Sequence, residues 1–286
     1  MQLGTRTFDF SRELAVMGIV NRTPDSFYDA GATFGLGAAL DLADSQVAAG
    51  VDIVDVGGVK AGPGVTVGVD EELARVIPFV TAFRKRSSTP LSVDTFRPAV
   101  AAAALAEGAD LINDVTGLSE PGIADVVARH PRAGLVLTHH GGPPRSRPFR
   151  PDYEPDVVTA VRRRCAALVD AATARGVAPA QLIVDPGHDM FKTTTHSLEV
   201  TRRIGELAEL GHPVLVALSN KDFIGEALGL ELHDRGAASL AVAVFAVLHG
   251  ARIVRAHDVE GTVQGVRMIE VLLGWRRPAT LLRGLD

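Results

Sequence analysis

Pro213–Gly225 reads PVLVALSNKDFIG, and its three parts decide the fold. Val214–Leu218 is a short aliphatic run flanked by polar residues, the pattern of a parallel strand buried on both faces. It ends abruptly in Ser219-Asn220-Lys221-Asp222, and a helical pattern follows from Phe223 to about Leu230. A buried strand that ends in charge and runs into a helix is one βα unit.

The same unit recurs along the chain. Leu14–Val20 closes at Asn21, Val51–Val56 at Gly57-Gly58, Leu91–Val93 at Asp94-Thr95, and Leu111–Ile112 at Asn113-Asp114. Gly134–Leu137 closes at Thr138-His139-His140, Leu182–Val184 at Asp185-Pro186-Gly187, and Arg252–Val254 at Arg255-Ala256-His257-Asp258. Helical patterns intervene, such as Gly37–Gly50, Asp70–Lys85 and the alanine-rich Pro98–Glu107. Strand–helix alternation with right-handed crossovers gives a parallel sheet, and eight units in 286 residues predict one α/β domain over 1–286, a (β/α)8 TIM barrel. Thr5–Phe10 alternates like part of a short N-terminal hairpin. An open doubly wound sheet is the alternative.

Composition excludes several function classes. At 47% hydrophobic residues the chain supports a large core, and a net charge of −5 argues against a nucleic-acid binder, which is usually basic. The single cysteine, Cys165, excludes an internal disulfide and fits a reducing compartment; its helical setting, Arg162–Ala172, reads as packing. No apolar run reaches the roughly 18 residues of a membrane span. MQLGTRTFDF lacks signal-peptide architecture, so a cytoplasmic protein is expected, with no membrane partner. The proline-rich Gly141–Asp156, with Arg145, Arg147 and Arg150, reads as a loop.

The polar residues are not scattered. Asn21, Asp55, Asp94, Asn113, His139, Asp185, Lys221 and His257 all lie at or just past a C-terminal strand end. In a barrel these ends converge on one mouth. Any one of them would serve as a helix cap or turn residue; together they favour a polar ligand. Asp94, Asn113 and Asp185 suit a flat heterocycle with a guanidine-like edge, with Lys221 in reach of a ring oxygen or nitrogen. Asn21, Arg255 and His257, on strands that become adjacent when a barrel closes, suit phosphate or diphosphate.

Taken together these residues resemble the dihydropteroate synthase family. MGIVNRTPDSFYDAG (Met17–Gly31), LSVDT (Leu91–Thr95), INDVTGL (Ile112–Leu118), LIVDPG (Leu182–Gly187), LSNKDFIG (Leu218–Gly225) and GARIVRAHDV (Gly250–Val259) follow the family's order over nearly the whole chain. The pterin-binding methyltransferases of corrinoid pathways share the barrel, but His257-Asp258-Val259 and the Thr23–Phe27 loop speak for the synthase branch. The resemblance implies a (β/α)8 fold, a homodimer, and the condensation of 6-hydroxymethyl-dihydropterin diphosphate with p-aminobenzoate, assisted by magnesium. It implies pterin binding by Asp94, Asn113, Asp185 and Lys221. It implies diphosphate binding by Asn21, Arg255 and His257, with Asn21 also on the magnesium. In the acceptor region it implies roles for Phe27, Asp29, Pro63, Asn220 and Asp222.

The departures concentrate on that acceptor region. The family's Ser-Arg-Lys-Ser is here Ser219-Asn220-Lys221-Asp222. The second serine, which in the family receives the acceptor's carboxylate at a helix N-terminus, has become Asp222. A carboxylate there is expected to cap the helix, fill the anion position and repel p-aminobenzoate, leaving that partner weak or absent. Pairing of Asp222 with Lys60 or Arg22 would relieve the repulsion. Glu-Ser-Thr-Arg-Pro-Gly has become Val59-Lys60-Ala61-Gly62-Pro63-Gly64. Ile-Gly-Phe-Gly, ahead of Lys192, has become His188-Asp189-Met190-Phe191, losing two glycines and crowding the pterin. Thr138-His139-His140 stands where a Met-His-Met is usual. These changes favour a divergent, second-copy-like member with little or no synthase activity. An active synthase with a rebuilt site, an enzyme with another acceptor, and a non-catalytic pterin-binding or regulatory protein are the other readings.

Overall fold

The computed structural model describes residues 1–23, 31–60, 62, 64–143, 151–281 and 283. Among these, eight parallel strands close into a barrel, which disposes of the open-sheet alternative. In chain order the barrel strands are β3 (Ala15–Asn21), β4 (Ile53–Gly57), β5 (Leu91–Asp94), β6 (Leu111–Asp114), β7 (Gly134–Thr138), β8 (Leu182–Asp185), β9 (Val214–Ala217) and β10 (Ala251–Ala256). β10 pairs with both β9 and β3, so the first and last strands meet. β1 (Gln2–Leu3) and β2 (Arg6–Thr7) form the N-terminal hairpin.

The helices are α1 (Leu36–Ala48), α2 (Val69–Arg84), α3 (Pro98–Ala106), α4 (Gly122–Ala128), α5 (Val157–Ala174), α6 (Thr194–Arg202), α7 (Gly205–Ala208), α8 (Asp222–Leu228), α9 (Gly236–Leu248) and α10 (Val259–Leu272). None of the described helices is long and apolar enough to cross a membrane. The helix patterns read from the sequence match α1, α2 and α3 to within two residues.

Period-2 alternation sets what faces the barrel axis. Met17, Ile53, Leu111, Val136, Ile183, Leu215 and Ile253 fill the interior and are sealed below by Leu3 and Phe8 of the hairpin segment. Burying side chains of this size stabilises the fold by about 1.5–3 kcal/mol each. Their neighbours, such as Val54, Val184, Val216 and Val254, pack outward on the helices. Asp55, Asn113, Thr138, Asp185 and Arg255 each lie two residues beyond an inward residue, so the same alternation turns them inward at the C-terminal end.

Candidate functional site

The mouth is built around one buried ion cluster. Arg255 Nε donates to Asp55 Oδ2 at 2.7 Å and its Nη2 to Asp94 Oδ2 at 3.4 Å. Asn113 Nδ2 donates to the same Asp55 oxygen at 3.4 Å. The sequence groups Arg255 with Asn21 and His257; in the structure its guanidinium reaches across to the carboxylates of β4 and β5. Burial raises the Asp94 pKa, and the neighbouring Asp55 charge raises it further against the pull of Arg255. Four buried polar atoms around this cluster, Asp55 Oδ1, Ser92 Oγ, Asn113 Oδ1 and Thr138 Oγ1, have no hydrogen-bond partner among the described residues.

Asp185 and Lys221 form the opposite side. Burial raises the Asp185 pKa, which its hydrogen bond from Gly187 N (2.7 Å) and the nearby charge of Lys221 partly offset. His257 Nδ1 lies 3.0 Å from Ser219 Oγ, and Asn21 O accepts from Thr33 Oγ1 at 2.7 Å. The expectations for Phe27, Asp29 and Pro63 fall outside the described residues.

The turn after β8 is the decisive departure. Gly187 has φ +65°, and a Cβ there would lie 2.1 Å from His139 O, so only glycine fits. The family's two further glycines are replaced without changing the conformation they permit: Asp189 has φ +62° and Phe191 φ +57°. A left-handed non-glycine residue costs roughly 1–2 kcal/mol. Other bonds hold the turn in place. Lys192 Nζ spends its three donors on Gly187 O (2.9 Å), Met190 O (3.3 Å) and His139 Nδ1 (2.9 Å). Tyr153 Oη donates to Phe191 O at 2.5 Å. Burial lowers the Lys192 pKa to about 7, and burial together with Lys192 lowers that of His139 to about 2. His139 is therefore neutral with its proton on Nε2. His188 is buried, stacks on Phe223 at 5.8 Å and lies 3.0 Å from Thr201 Oγ1.

Held this way, Asp189 reaches the start of α8. Its Oδ2 accepts from Asp222 N at 2.8 Å and from Phe223 N at 3.4 Å, while Oδ1 accepts from Ser197 Oγ at 3.1 Å. This corrects the expectation for Asp222. Lys221, not Asp222, is the N-cap residue, and its side chain makes no capping bond. Asp222 is the first helical residue, so its side chain projects outward, half exposed, and pairs with Arg235 at 3.2 Å. Among the described residues it makes no ion pair with Lys60 or Arg22. Arg22 is spent on carbonyl oxygens, Nη1 on Arg75 O at 2.6 Å and Nη2 on Phe34 O at 2.9 Å. The anion position at the helix start is filled, but by Asp189. In the sequence the change shows as a lost glycine; the acidic residue gained at a turn position, three residues before Lys192, is the signal that points to this role. Asn220 has φ +58° and is buried beside α9, not in the mouth. Cys165 is fully buried and its thiol is pushed up to about 12, in keeping with packing.

A closed parallel barrel whose mouth carries inward carboxylates, a carboxamide and cations defines a (β/α)8 protein with a polar mouth. The chain belongs to the dihydropteroate synthase family: the family model described as "Pterin binding enzyme" matches residues 17–257. It is 47% identical over 275 residues to "Inactive dihydropteroate synthase 2" of Mycobacterium leprae, covering 94% of each chain. The solved Yersinia pestis dihydropteroate synthase in complex with a sulfonamide drug superposes with a TM-score of 0.91 at 36% identity, over 96% of this chain and 99% of that one. The Xanthomonas albilineans dihydropteroate synthase with 4-aminobenzoic acid gives a TM-score of 0.86 at 39% identity, over 95% and 98%.

Proposed function

We propose that this protein holds a pterin diphosphate in the barrel mouth but has little or no synthase activity, because its own Asp189 stands where an acceptor's carboxylate would dock. The observation that carries the first half is the set of buried atoms without partners among the described residues, Asp55 Oδ1, Ser92 Oγ, Asn113 Oδ1 and Thr138 Oγ1. Each costs about 1–3 kcal/mol unless something bonds to it. A flat donor–acceptor ring satisfies several at once, with Asp94, Asn113, Asp185 and Lys221 around its edge. The second half rests on the two N–H groups of α8 being taken by Asp189, and the name of the mycobacterial relative agrees with it.

Asn21, Arg255 and His257 are assigned to the diphosphate. Among the described residues no group of three or more His, Cys, Asp or Glu would hold a metal ion. The hard oxygen of Asn21 suits magnesium that arrives on the diphosphate, the usual habit of that ion. When bound, magnesium neutralises charge on the leaving diphosphate. This chain's residues hold and orient the pterin and shield it from water. We also assign a cytoplasmic location and a homodimer, the latter joined through the later turns of α9 and α10, where Phe245, Leu248, Met268 and Leu272 are exposed.

Calorimetric titration with the pterin diphosphate and magnesium, then with p-aminobenzoate, tests the reading, with turnover followed in the same samples. Pterin binding without acceptor binding or turnover is expected. Turnover at the rate of an active synthase would sink it. Binding of neither ligand would point instead to a protein that has left pterin chemistry.

A further inference from the structure

Behind the wall that carries Lys221 and His257 lies a second cavity of about 210 Å³, between the first turns of α9 and α10. Its floor is the outward apolar side of the strand ends, Leu218 and Ala256, and α9 supplies Leu240 and Ala243. Asn220 and Thr262 add polar groups. For scale, a dry cavity of about 150 Å³ is large enough to take benzene.

Asn220 says what kind of molecule fits. It is 6% exposed, and its backbone is fully used: N donates to Ser239 Oγ at 2.9 Å and O accepts from Arg235 Nη1 at 3.0 Å. Its carboxamide makes no hydrogen bond among the described residues. A buried carboxamide offers one acceptor and two donors, the complement of another primary amide. Thr262 donates to Asp258 O at 2.5 Å and keeps acceptor capacity. The charge at the rim is already employed: Asp258 Oδ1 accepts from Gly261 N at 3.1 Å as the cap of α10. Arg255 borders the cavity only through its backbone, because its guanidinium lies inside the barrel on Asp55. His233 also lines the cavity and is its one remaining ionisable side chain among the described residues, so little inside would compensate a buried ligand charge.

We propose that this cavity is a second small-molecule site, taking a flat, uncharged ring that carries a primary amide. The amide pairs with the Asn220 carboxamide and the ring lies between Leu240 and Ala256. The site is separate from the mouth and does not depend on the pterin reading. Its occupant would stiffen the turn that presents Lys221, because Asn220 is the residue before it.

Benzamide is a suitable probe, titrated into the full chain and followed by methyl NMR of Leu218, Leu240 and Ala243. Saturable shifts at these methyls are expected, with benzoate binding at least tenfold more weakly. Ala243→Phe, which fills the cavity, should abolish the shifts, and Asn220→Leu should weaken binding about tenfold. If Ala243→Phe fails to fold, Leu240→Phe serves the same purpose. Absence of saturable shifts, shifts that survive the filling variant, or shifts confined to mouth residues would each overturn the proposal. Because the readout is at α9, loss of pterin binding in the mouth leaves it unaffected.

Discussion

Replacing Asp189 by glycine separates the two carboxylates at the start of α8. In the native chain Asp189 accepts from Asp222 N and Phe223 N, and Asp222 pairs outward with Arg235. An acceptor carboxylate arriving about 4 Å from Asp189 would be repelled by about 4 kcal/mol at an effective dielectric near 20. Discounting by about half for the partial exposure of Asp189 leaves about 2 kcal/mol, a factor of roughly thirty in affinity. The substitution also frees two N–H groups for an incoming anion. Its cost to the fold is small. Charge-assisted bonds worth about 1.5–3 kcal/mol are lost, but glycine relieves roughly 1–2 kcal/mol of left-handed strain. A net loss of about 1 kcal/mol lowers Tm by about 2–4 °C. Calorimetry with p-aminobenzoate, in the presence of the pterin diphosphate and magnesium, should show the gain in Asp189→Gly and little change in Asp222→Ser. If Asp222→Ser gains affinity and Asp189→Gly, still folded, does not, Asp222 is the blocking group and the reasoning is wrong.

Two further outcomes follow from buried charges. The folded state depresses the Lys192 pKa to about 7 from 10.5, so it penalises the ammonium. This contribution to stability grows as pH increases above 7, by up to about 1.4 kcal/mol per unit, because the unfolded chain still binds the proton. Asp94, raised to about 8, works in the opposite sense up to that pH, and above pH 9 the raised pKa values of Cys165 and Tyr153 do so too, so the window is pH 8 to 9. Urea denaturation across that window checks the slope, which Lys192→Met should remove. Arg255→Met leaves Asp55 and Asp94 buried without their cation, and should destabilise the barrel by about 3–5 kcal/mol. A loss under about 1 kcal/mol in the same assay would show that the cluster is less desolvated than its burial indicates.

Much of this protein was legible in one dimension. Apolar runs of two to seven residues with polar ends located every barrel strand, because a strand buried on both faces has no solvent side to keep polar. The same logic placed Asp94, Asn113, Asp185, Lys221 and Arg255 at the mouth. It could not tell which of them touch. Arg255 and Asp55 are 200 residues apart, and only barrel closure sets the guanidinium on that carboxylate. The acceptor region shows the limit most clearly. Asp222 looked like the blocking charge because it stands at a helix start in the sequence. Yet a first-turn side chain projects outward, while the N–H groups point back along the axis toward whatever the neighbouring strand presents. That neighbour is β8, whose turn delivers Asp189 from 33 residues away. Local pattern by itself determined the fold and the inward residues, since alternation and burial are properties of each segment. Only the tertiary structure decided which carboxylate guards the helix, because that depends on how two segments meet.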